Sequence, residues 1–333
     1  MTDSTASERI VITRRDHLEL QAWRAPAPAP GEVRVRVAYS AVSFGDVMLR
    51  RHVFRPRPAV AVPGYEVVGT IDALGAGVTT AQLGDRVAAF IEYGGNARHA
   101  LVRAHDVVVL DGAVDGALAA ATILNYATAL GMIEAANLVA GDDFLIHGAT
   151  GGVGSATLDT GRALGLVAIG TTRGDRTRHL FGARLMDARS PSLVDDVRAA
   201  SVGGVRAVFD SRAGRGLWQS RAMVERGGSL VVFGLSALAN PGWGAALGTV
   251  GTLASLALFR VLPGKRSVMF AMDKTYHRDP ARVRALVARA IDLLATGTVA
   301  PIVGATLPLA QVADAQRLVE TGAVVGKVVI DCR

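Results

Sequence analysis

The sequence predicts an α/β protein with a doubly wound parallel sheet, and a change of pattern along the chain carries that prediction. From about residue 120 to residue 262, short apolar strands alternate with helical segments, as in sheets whose parallel strands are joined by helices. Before residue 120, short strands broken by turns predict a domain rich in β-structure. After residue 265 a helix, a strand, a short helix and a closing strand follow. We therefore expect three segments, 1–120, 121–265 and 266–333.

Local patterns predict the individual elements. Residues 31–42 alternate apolar and polar side chains as a half-buried strand does, and residues 67–91 predict two strands joined by a glycine-rich turn. Residues 143–147 predict the first strand of the α/β segment, and residues 155–164 predict the helix that follows it. Further segments that we expect to be helical are 176–183, 218–228 and 282–297.

The composition restricts the functional classes. The chain has 333 residues and a formal net charge of +7, but its arginines are scattered, without the basic face that nucleic-acid binding requires. We expect no nucleic-acid partner. The single cysteine, Cys332, excludes an intramolecular disulfide, and no apolar leader is visible at the N-terminus. These features favour a protein of the cytoplasm.

Residues 241–259 form a run of nineteen residues without a charge, close to the length that spans a membrane. The run contains Gly242, Gly244, Gly248 and Gly251 and few large aliphatic residues. Small residues inside an α/β pattern favour a segment buried in the core or at a subunit interface. We expect that placement rather than contact with a membrane, and a wall of a substrate pocket is a further alternative.

A glycine-rich loop separates the predicted strand 143–147 from the predicted helix 155–164. Its glycines at every third position let the backbone turn tightly and approach a pyrophosphate, which then lies at the N-terminus of the helix. No Gly-Lys-Ser/Thr follows, so the loop is not a P-loop. The sequence therefore predicts a dinucleotide-binding loop. The residues that we expect to contact the cofactor are Gly148, Thr150, Gly151, Gly152, Val153 and Gly154.

The end of the next predicted strand indicates which dinucleotide is bound. In NAD-binding domains an acidic residue about 20 positions after the loop usually holds the ribose 2′-hydroxyl. Here that place is occupied by Thr171, Thr172 and Arg173, and a 2′-phosphate could pair with Arg173, Arg176 and Arg178. Asp175 opposes this interpretation, and the arginines alternatively form only the solvated face of a helix. NADPH is favoured over NADH.

Ordered motifs along nearly the whole chain resemble one family. They are SFGDVMLR (43–50), VPGYEVVGTI (62–71), LGDRVAAF (83–90), LNYATAL (124–130), HGATGGVG (147–154), VFDS (208–211), VVFGLS (231–236) and GKVVI (326–330). The sequence is identified as a member of the medium-chain dehydrogenase/reductase superfamily, in its zinc-free quinone oxidoreductase-like branch. The resemblance implies a Rossmann doubly wound parallel sheet inserted in a GroES-like β-barrel domain, which segment 266–333 completes.

The resemblance also implies an enzyme without a metal. Where zinc-dependent relatives hold their catalytic zinc, this chain has Ser43, Tyr65 and Leu124, and these side chains are not zinc ligands. Glu66 remains as a single carboxylate. With no Lewis acid available, the resemblance implies transfer of a hydride from NADPH to an activated C=C bond or to a quinone.

The family pattern assigns the cofactor contacts residue by residue. Asn125 and Thr128 fall where relatives contact the nicotinamide ribose and carboxamide, and Ser43 falls at the place of a nicotinamide-side asparagine. The spacing Ser43-x-x-Asp46 alternatively indicates a helix-capping pair. The remaining cofactor-binding candidates, at the ends of later strands and in the closing strand, are Ser211, Phe233, Leu235, Ser236 and Lys327.

The proton donor of the predicted site has several candidates. Met48 and Phe54 stand where quinone-reducing relatives often have aromatic hydroxyls. Tyr65 and Tyr126 are therefore the candidate catalytic acids beside Ser43, with His52 as a third choice and water as an alternative.

These departures from the family pattern keep two other functions open. One is a specialised biosynthetic enoyl reductase acting on a bulky polyketide-like substrate, to which the apolar segment 237–262 would be suited. The other is a dinucleotide-binding protein that has lost turnover. The resemblance further implies a homodimer. It also implies that the substrate is a small-molecule enone or quinone.

Overall fold

The computed structural model describes residues 5–53, 61–173, 179–214, 216–234 and 243–333. The chain divides into two compact units. Unit 1 contains Met1–Ala127 and Met272–Arg333, and unit 2 contains Thr128–Ala271. The C-terminal segment therefore folds with the N-terminal one.

The described residues contain sixteen strands and nine α-helices. The strands are β1 (Thr5–Arg14), β2 (His17–Ala25), β3 (Glu32–Val42), β4 (Glu66–Leu74), β5 (Arg86–Phe90), β6 (His99–Arg103), β7 (Val108–Val109), β8 (Asp143–His147), β9 (Val167–Thr172), β10 (His179–Leu180), β11 (Ala183–Asp187), β12 (Val205–Asp210), β13 (Val224–Val232), β14 (Arg266–Met269), β15 (Val303–Pro308) and β16 (Lys327–Asp331). The helices are α1 (Phe44–Arg50), α2 (Gly116–Ala136), α3 (Gly152–Ala163), α4 (Leu193–Ala200), α5 (Gly216–Met223), α6 (Trp243–Val261), α7 (Met272–Arg278), α8 (Pro280–Ala295) and α9 (Val312–Thr321).

The main sheet of unit 1 runs in the order β15-β16-β3-β4-β5-β7, and β6 also pairs with β3. The predicted alternation of β3 is met only in part. Val33, Val35 and Val37 are at most 2% exposed, but Arg34 between them is 3% exposed, because its guanidinium pairs with Asp72, and residues 40–42 are all buried. β16 pairs antiparallel with β3 and places Val328 opposite Val42. This register brings the start of the closing strand next to the start of α1, where the site described below lies.

Unit 2 contains a sheet in the order β10-β11-β9-β8-β12-β13-β14, in which every neighbouring pair except β10 with β11 is parallel. Along the chain, the strands that follow β8 first extend the sheet to one side, through β9 and β11, and then to the other, through β12, β13 and β14. This order defines a doubly wound sheet, so the predicted α/β class is confirmed. The reversal of direction falls between β8 and β12.

Aromatic and glycine residues bring the first helix of unit 2 close to its sheet. A Cβ atom at Gly161 of α3 would lie 2.5 Å from the ring of Phe144 in β8, so the helix contacts the strand closely only because this residue is glycine. The same ring meets Phe209 of β12 edge to face, with centroids 5.5 Å apart. Both aromatic residues are fully buried, and the last turn of α3 packs on the Phe144 ring near the start of β8.

Two of the predicted helices are wrong in whole or in part. His179–Leu180 pairs with β11 as a short antiparallel hairpin, where we expected a helix over 176–183; residues 174–178 lie outside the described part. Phe181 and Gly182, with φ of 51° and 78°, form the turn, and this conformation interrupts a helix. The predicted helix 218–228 ends at Met223, because Val224 already pairs with Val205 of β12.

The uncharged run 241–259 corresponds to α6, except for residues 241–242, which lie outside the described part. Phe259 is fully buried in unit 2, but Val250, Leu253 and Val261 are 65%, 55% and 76% exposed. One face of α6 therefore belongs to the core and the other is open. Within the described residues, one helix, α2, has the length and apolar composition of a membrane span, and 78% of the qualifying window is buried.

Candidate functional site

The loop between β8 and α3 has the geometry of a phosphate cradle. Gly148 has a φ of +72°, in the region that favours glycine, and Gly151 is the N-cap of α3. A Cβ atom at Gly154 would lie 2.1 Å from the carbonyl oxygen of Gly148, so only glycine lets the helix start this close to the strand. Gly148 and Gly151 are exposed and Gly152 and Val153 are half-buried, and the first N–H groups of α3 have no acceptor within the helix, which suits an anion.

The end of β9 carries hydroxyls and one cation. Thr171 is fully buried and its Oγ1 lies 2.9 Å from Nδ1 of His147, and Thr172 is 7% exposed. Arg173 follows the strand and is exposed. Arg176 and Arg178 lie outside the described residues. The described part of this strand end therefore presents no carboxylate to a ribose.

The nicotinamide-side candidates lie on α2. Asn125 and Thr128 are three residues apart, which places them on one face of the helix, and they are 4% and 7% exposed. Tyr126, between them in sequence, is 2% exposed. Thr150 and Val153 of the loop are half-buried.

The strand-end candidates are partly described. Ser211 and Phe233 are half-buried at the ends of β12 and β13. Gly234, with φ of +133°, lies beside Ser211, and a Cβ built at Gly234 would be in ordinary van der Waals contact with the Ser211 Cβ, at 3.6 Å. Leu235 and Ser236 lie outside the described residues.

A buried ion pair lies at the start of α1 in unit 1. The ammonium of Lys327 forms an ion pair with Glu66 Oε1, and their side chains are 3% and 0% exposed. The same ammonium donates to Ser43 Oγ over 2.6 Å. Lys327 was expected to bind the cofactor, and in the structure its charge is compensated inside unit 1. The Ser43 oxygen accepts from a group that has only donors, so the hydroxyl proton remains available for another acceptor.

Asp46 fixes the backbone around this pair. Its carboxylate accepts the backbone N–H of Ser43 over 2.8 Å and that of Gly64 over 2.7 Å. Burial raises the pKa of Asp46 to about 7, although these two hydrogen bonds oppose the shift. Burial also raises the pKa of Glu66, and the neighbouring Lys327 lowers it in part. The capping pair considered for Ser43 is therefore present at the start of α1, and it coexists with the hydrogen bond from Lys327 to Ser43 Oγ.

Tyr65 lies beside the same cluster. Its ring stacks on Phe90 with centroids 6.4 Å apart, and its hydroxyl lies where a side chain at Gly45 would otherwise project, 2.9 Å from a Cβ built there. Burial raises the pKa of Tyr65 well above its ordinary value, and the carboxylate of Asp46 adds to the shift. The structure thus groups Ser43, Tyr65 and Lys327.

The sequence analysis missed a second buried polar cluster, at the strand ends of unit 2. His147 and Asp210, the last residues of β8 and β12, have fully buried side chains. Ser220 donates to Asp210 Oδ2 over 2.5 Å, and Arg212 Nη2 lies 2.9 Å from His147 Nε2. The signal that could have revealed the cluster is a charged or titratable residue closing each of two apolar strands.

The residues at the zinc position do not fit a metal. Ser43 and Tyr65 supply neither a thiolate nor an imidazole, and the ammonium of Lys327 occupies the space between Ser43 and Glu66. In the described part of the chain no group of three or more His, Cys, Asp or Glu residues is placed to hold a metal ion. The reaction proposed below therefore has no step that uses zinc.

Two family models match the chain. Residues 29–132 match the alcohol dehydrogenase GroES-like domain, and residues 182–330 match the zinc-binding dehydrogenase model. The chain belongs to the medium-chain dehydrogenase/reductase superfamily, in its quinone oxidoreductase-like branch. Its fold is the GroES-like domain with an inserted Rossmann sheet that the motifs implied. It is an oxidoreductase of that family.

The curated relatives differ in kind. The chain is 31% identical over 327 residues to a mycocerosic acid synthase-like polyketide synthase of Mycolicibacterium smegmatis, covering 95% of this chain but only 15% of that protein. It is 27% identical to the human synaptic vesicle membrane protein VAT-1 homolog, over 95% of this chain and 83% of that protein. It is 30% identical to rat quinone oxidoreductase, over 63% of this chain and 66% of that protein.

Solved structures share the fold over nearly the whole chain. Escherichia coli quinone oxidoreductase complexed with NADPH superposes with a TM-score of 0.85 at 22% identity, over 97% of this chain and 99% of that one. The CurK enoyl reductase superposes with a TM-score of 0.82 at 20% identity, over 98% and 99% of the two chains.

Proposed function

We propose that the protein is an NADPH-dependent reductase that transfers a hydride to an activated C=C bond or to a quinone. The single observation that carries the proposal is the cradle at the start of α3, where Gly154 lies against the Gly148 carbonyl and the first N–H groups of the helix follow an exposed glycine loop. Such a cradle suits the pyrophosphate of a dinucleotide. The candidates for holding the rest of the cofactor are Asn125, Thr128, Thr172, Arg173, Ser211 and Phe233.

The strand end after the cradle supports NADPH rather than NADH. Thr172 and Arg173 stand where NAD-binding domains have an acid, and a guanidinium suits a 2′-phosphate. The structural relative from Escherichia coli is complexed with NADPH, which agrees with this choice. Bound NADPH would supply the hydride from its nicotinamide ring.

The polar cluster of unit 1 supplies what a metal supplies elsewhere in the family. Reduction of an enone places negative charge on the carbonyl oxygen, and a hydrogen-bond donor stabilises that charge. The hydroxyl of Ser43 is such a donor, because the ammonium of Lys327 occupies its acceptor side. Tyr65, beside it, is the candidate proton donor to the substrate; Tyr126 and water are the alternatives.

A second function is favoured by the match to the polyketide synthase. A specialised biosynthetic enoyl reductase would use the same chemistry on a bulkier, polyketide-like substrate. The relatives named as quinone oxidoreductase favour small quinones instead. The homodimer and the cytoplasmic location remain predictions.

Titration of the purified protein with NADPH and separately with NADH tests the proposal. Binding is measured by calorimetry or tryptophan fluorescence. We expect tight binding of NADPH and weak binding of NADH. NADPH oxidation is then measured with simple enones, quinones and long acyl enoyl thioesters, which separates the two candidate functions. Binding of neither dinucleotide would overturn the proposal.

A further inference from the structure

A guanidinium lies at the point where the order of the parallel strands reverses. Arg212 follows β12 by two residues, and the glycine loop begins directly after His147, the last residue of β8. β8 and β12 are neighbours in the sheet, and the chain extends from them to opposite sides. In open α/β sheets, ligands bind outside the carboxyl ends of the strands at such a reversal.

The buried imidazole holds this guanidinium in place. Arg212 Nη2 lies 2.9 Å from His147 Nε2, and Ser220 Oγ lies 3.1 Å from the same nitrogen. A guanidinium has only donors and the Ser220 hydroxyl donates to Asp210, so we assign Nε2 as the acceptor from Arg212. The proton of the neutral ring is then on Nδ1, which donates to Thr171 Oγ1 over 2.9 Å. Burial and the charge of Arg212 lower the pKa of His147 to about 4, which agrees with a neutral ring. One imidazole therefore joins the end of β9 to the guanidinium.

The nearby carboxylate of Asp210 forms an ion pair with the guanidinium but no hydrogen bond to it. Asp210 Oδ1 accepts the backbone N–H groups of Arg212 and Ala213 over 2.6 and 3.0 Å, and Oδ2 accepts the Ser220 hydroxyl over 2.5 Å. Oδ2 lies 3.8 Å from Arg212 Nη2, too far for a hydrogen bond. Asp210 is thus satisfied by three donors and orients the Arg212 backbone.

Arg212 retains donors for a ligand. Its side chain is 30% exposed, and its buried Nε has no hydrogen-bond partner in the described part of the chain. A planar guanidinium held by one nitrogen still presents a fork that matches two oxygens of a phosphate.

We propose that Arg212 binds a phosphate group of the dinucleotide, from the β12 side of the cradle. The proposal rests on the proposed function, since it needs a bound dinucleotide. Two phosphates of NADPH have the required chemistry. The 2′-phosphate is favoured because His147 links Arg212 to Thr171, which precedes the expected position of the ribose. The pyrophosphate is favoured because the glycine loop starts directly after His147.

The test compares Arg212→Leu with a matched control, Arg206→Leu. Arg206 lies on the same strand at its opposite end, has a side chain of similar exposure, 38%, and pairs with Glu225. Each protein is titrated by calorimetry with NADP⁺, NAD⁺ and adenosine 2′-phosphate. Arg212→Lys is included, because it keeps the charge and loses the fork. Circular dichroism and thermal melting show whether each variant is folded.

For a 2′-phosphate contact, we expect Arg212→Leu to lose about tenfold to a hundredfold in affinity for NADP⁺ and adenosine 2′-phosphate, as for one hydrogen bond to a charged group, with NAD⁺ unchanged. For a pyrophosphate contact, affinity for NADP⁺ and NAD⁺ falls equally and adenosine 2′-phosphate is unaffected. In both cases Arg212→Lys falls between the wild type and Arg212→Leu, and Arg206→Leu binds as the wild type does.

Unchanged binding by folded Arg212→Leu would overturn this inference and leave the proposed function intact. If Arg212→Leu does not fold, Arg212→Lys gives the answer. Binding of all three ligands by Arg212→Lys with wild-type affinity would likewise overturn this inference and leave the proposed function intact. Failure of the wild type to bind any of the three would overturn both.

Discussion

Lys327 donates a hydrogen bond of 2.6 Å to Ser43 Oγ, although the two residues are 284 positions apart in the chain. The antiparallel register of β16 on β3, with Val328 opposite Val42, accounts for the contact. The ammonium also forms an ion pair with the buried Glu66. The ammonium of Lys327 thus lies beside Ser43, which stands where zinc-dependent members of the superfamily have a zinc ligand.

Removal of the ammonium alone should destabilise unit 1. Lys327→Met leaves Glu66 buried without its partner, and we expect a loss of about 3–5 kcal/mol in the free energy of unfolding. The double variant Lys327→Met/Glu66→Gln removes both charges and should recover most of that loss. Urea denaturation of the three proteins measures the effect. Equal stability of Lys327→Met and the wild type would show that the pair is not buried.

Ser43→Ala should lower turnover without abolishing cofactor binding. Loss of one hydrogen-bond donor to a developing oxyanion costs about 10²-fold in kcat, and we expect a decrease of that order with an enone substrate. If Lys327 acts through Ser43, introducing Lys327→Met/Glu66→Gln into the wild type should lower kcat. Introducing the same two substitutions into Ser43→Ala should lower kcat no further.

The control for Ser43 is Ser40→Ala. Ser40 is a buried serine of β3 that donates to the Glu66 carbonyl, and among the described residues its hydroxyl has no hydrogen bond with Lys327. The kcat of Ser40→Ala should equal that of the wild type. A kcat for Ser43→Ala equal to that of Ser40→Ala would remove Ser43 from the proposed chemistry.

His147 should make the protein less stable in acid. Its pKa is lowered to about 4 in the folded protein, against about 6.5 in the unfolded chain, so between these values the unfolded state binds a proton that the folded state does not. The stability contributed by the neutral ring is complete above pH 6.5 and is lost as the pH falls towards 4, with a slope of at most about 1.4 kcal/mol per pH unit.

The difference between the wild type and His147→Asn isolates this slope. Asp46, whose pKa is raised to about 7, acts in the opposite direction, since its contribution falls as the pH rises through 7. The effect of Asp46 is common to both proteins and cancels. A difference in unfolding free energy that does not change between pH 4 and 6.5 would contradict a buried neutral His147.

Gly154→Ala should disrupt the cradle. The new Cβ would lie 2.1 Å from the Gly148 carbonyl oxygen, so the loop must move away from α3, and we expect NADPH binding to be lost. Gly248→Ala in α6 is the control, because a Cβ there meets nothing within 4 Å. That variant should bind NADPH normally and gain up to about 1 kcal/mol of stability. Normal NADPH affinity in Gly154→Ala would show that the cradle does not bind the cofactor.

The sequence by itself determined the fold class, the glycine-rich loop between β8 and α3, and the absence of thiolate and imidazole side chains at the zinc position. These follow from neighbours in the chain: the glycine spacing from Gly148 to Gly154, the alternation in β3, and the residue types at Ser43 and Tyr65. Local patterns are reliable where the backbone conformation depends on nearby residues.

Tertiary structure alone decided which distant polar groups meet. The pair of Lys327 with Ser43 depends on the register between β16 and β3, and the pair of Arg212 with His147 joins residues 65 positions apart through neighbouring strands. Strand pairing also converted the expected helix after residue 178 into a hairpin, because hydrogen bonds to β11 outweigh local propensity. Contacts of this kind arise from sheet order and register, which no local pattern encodes.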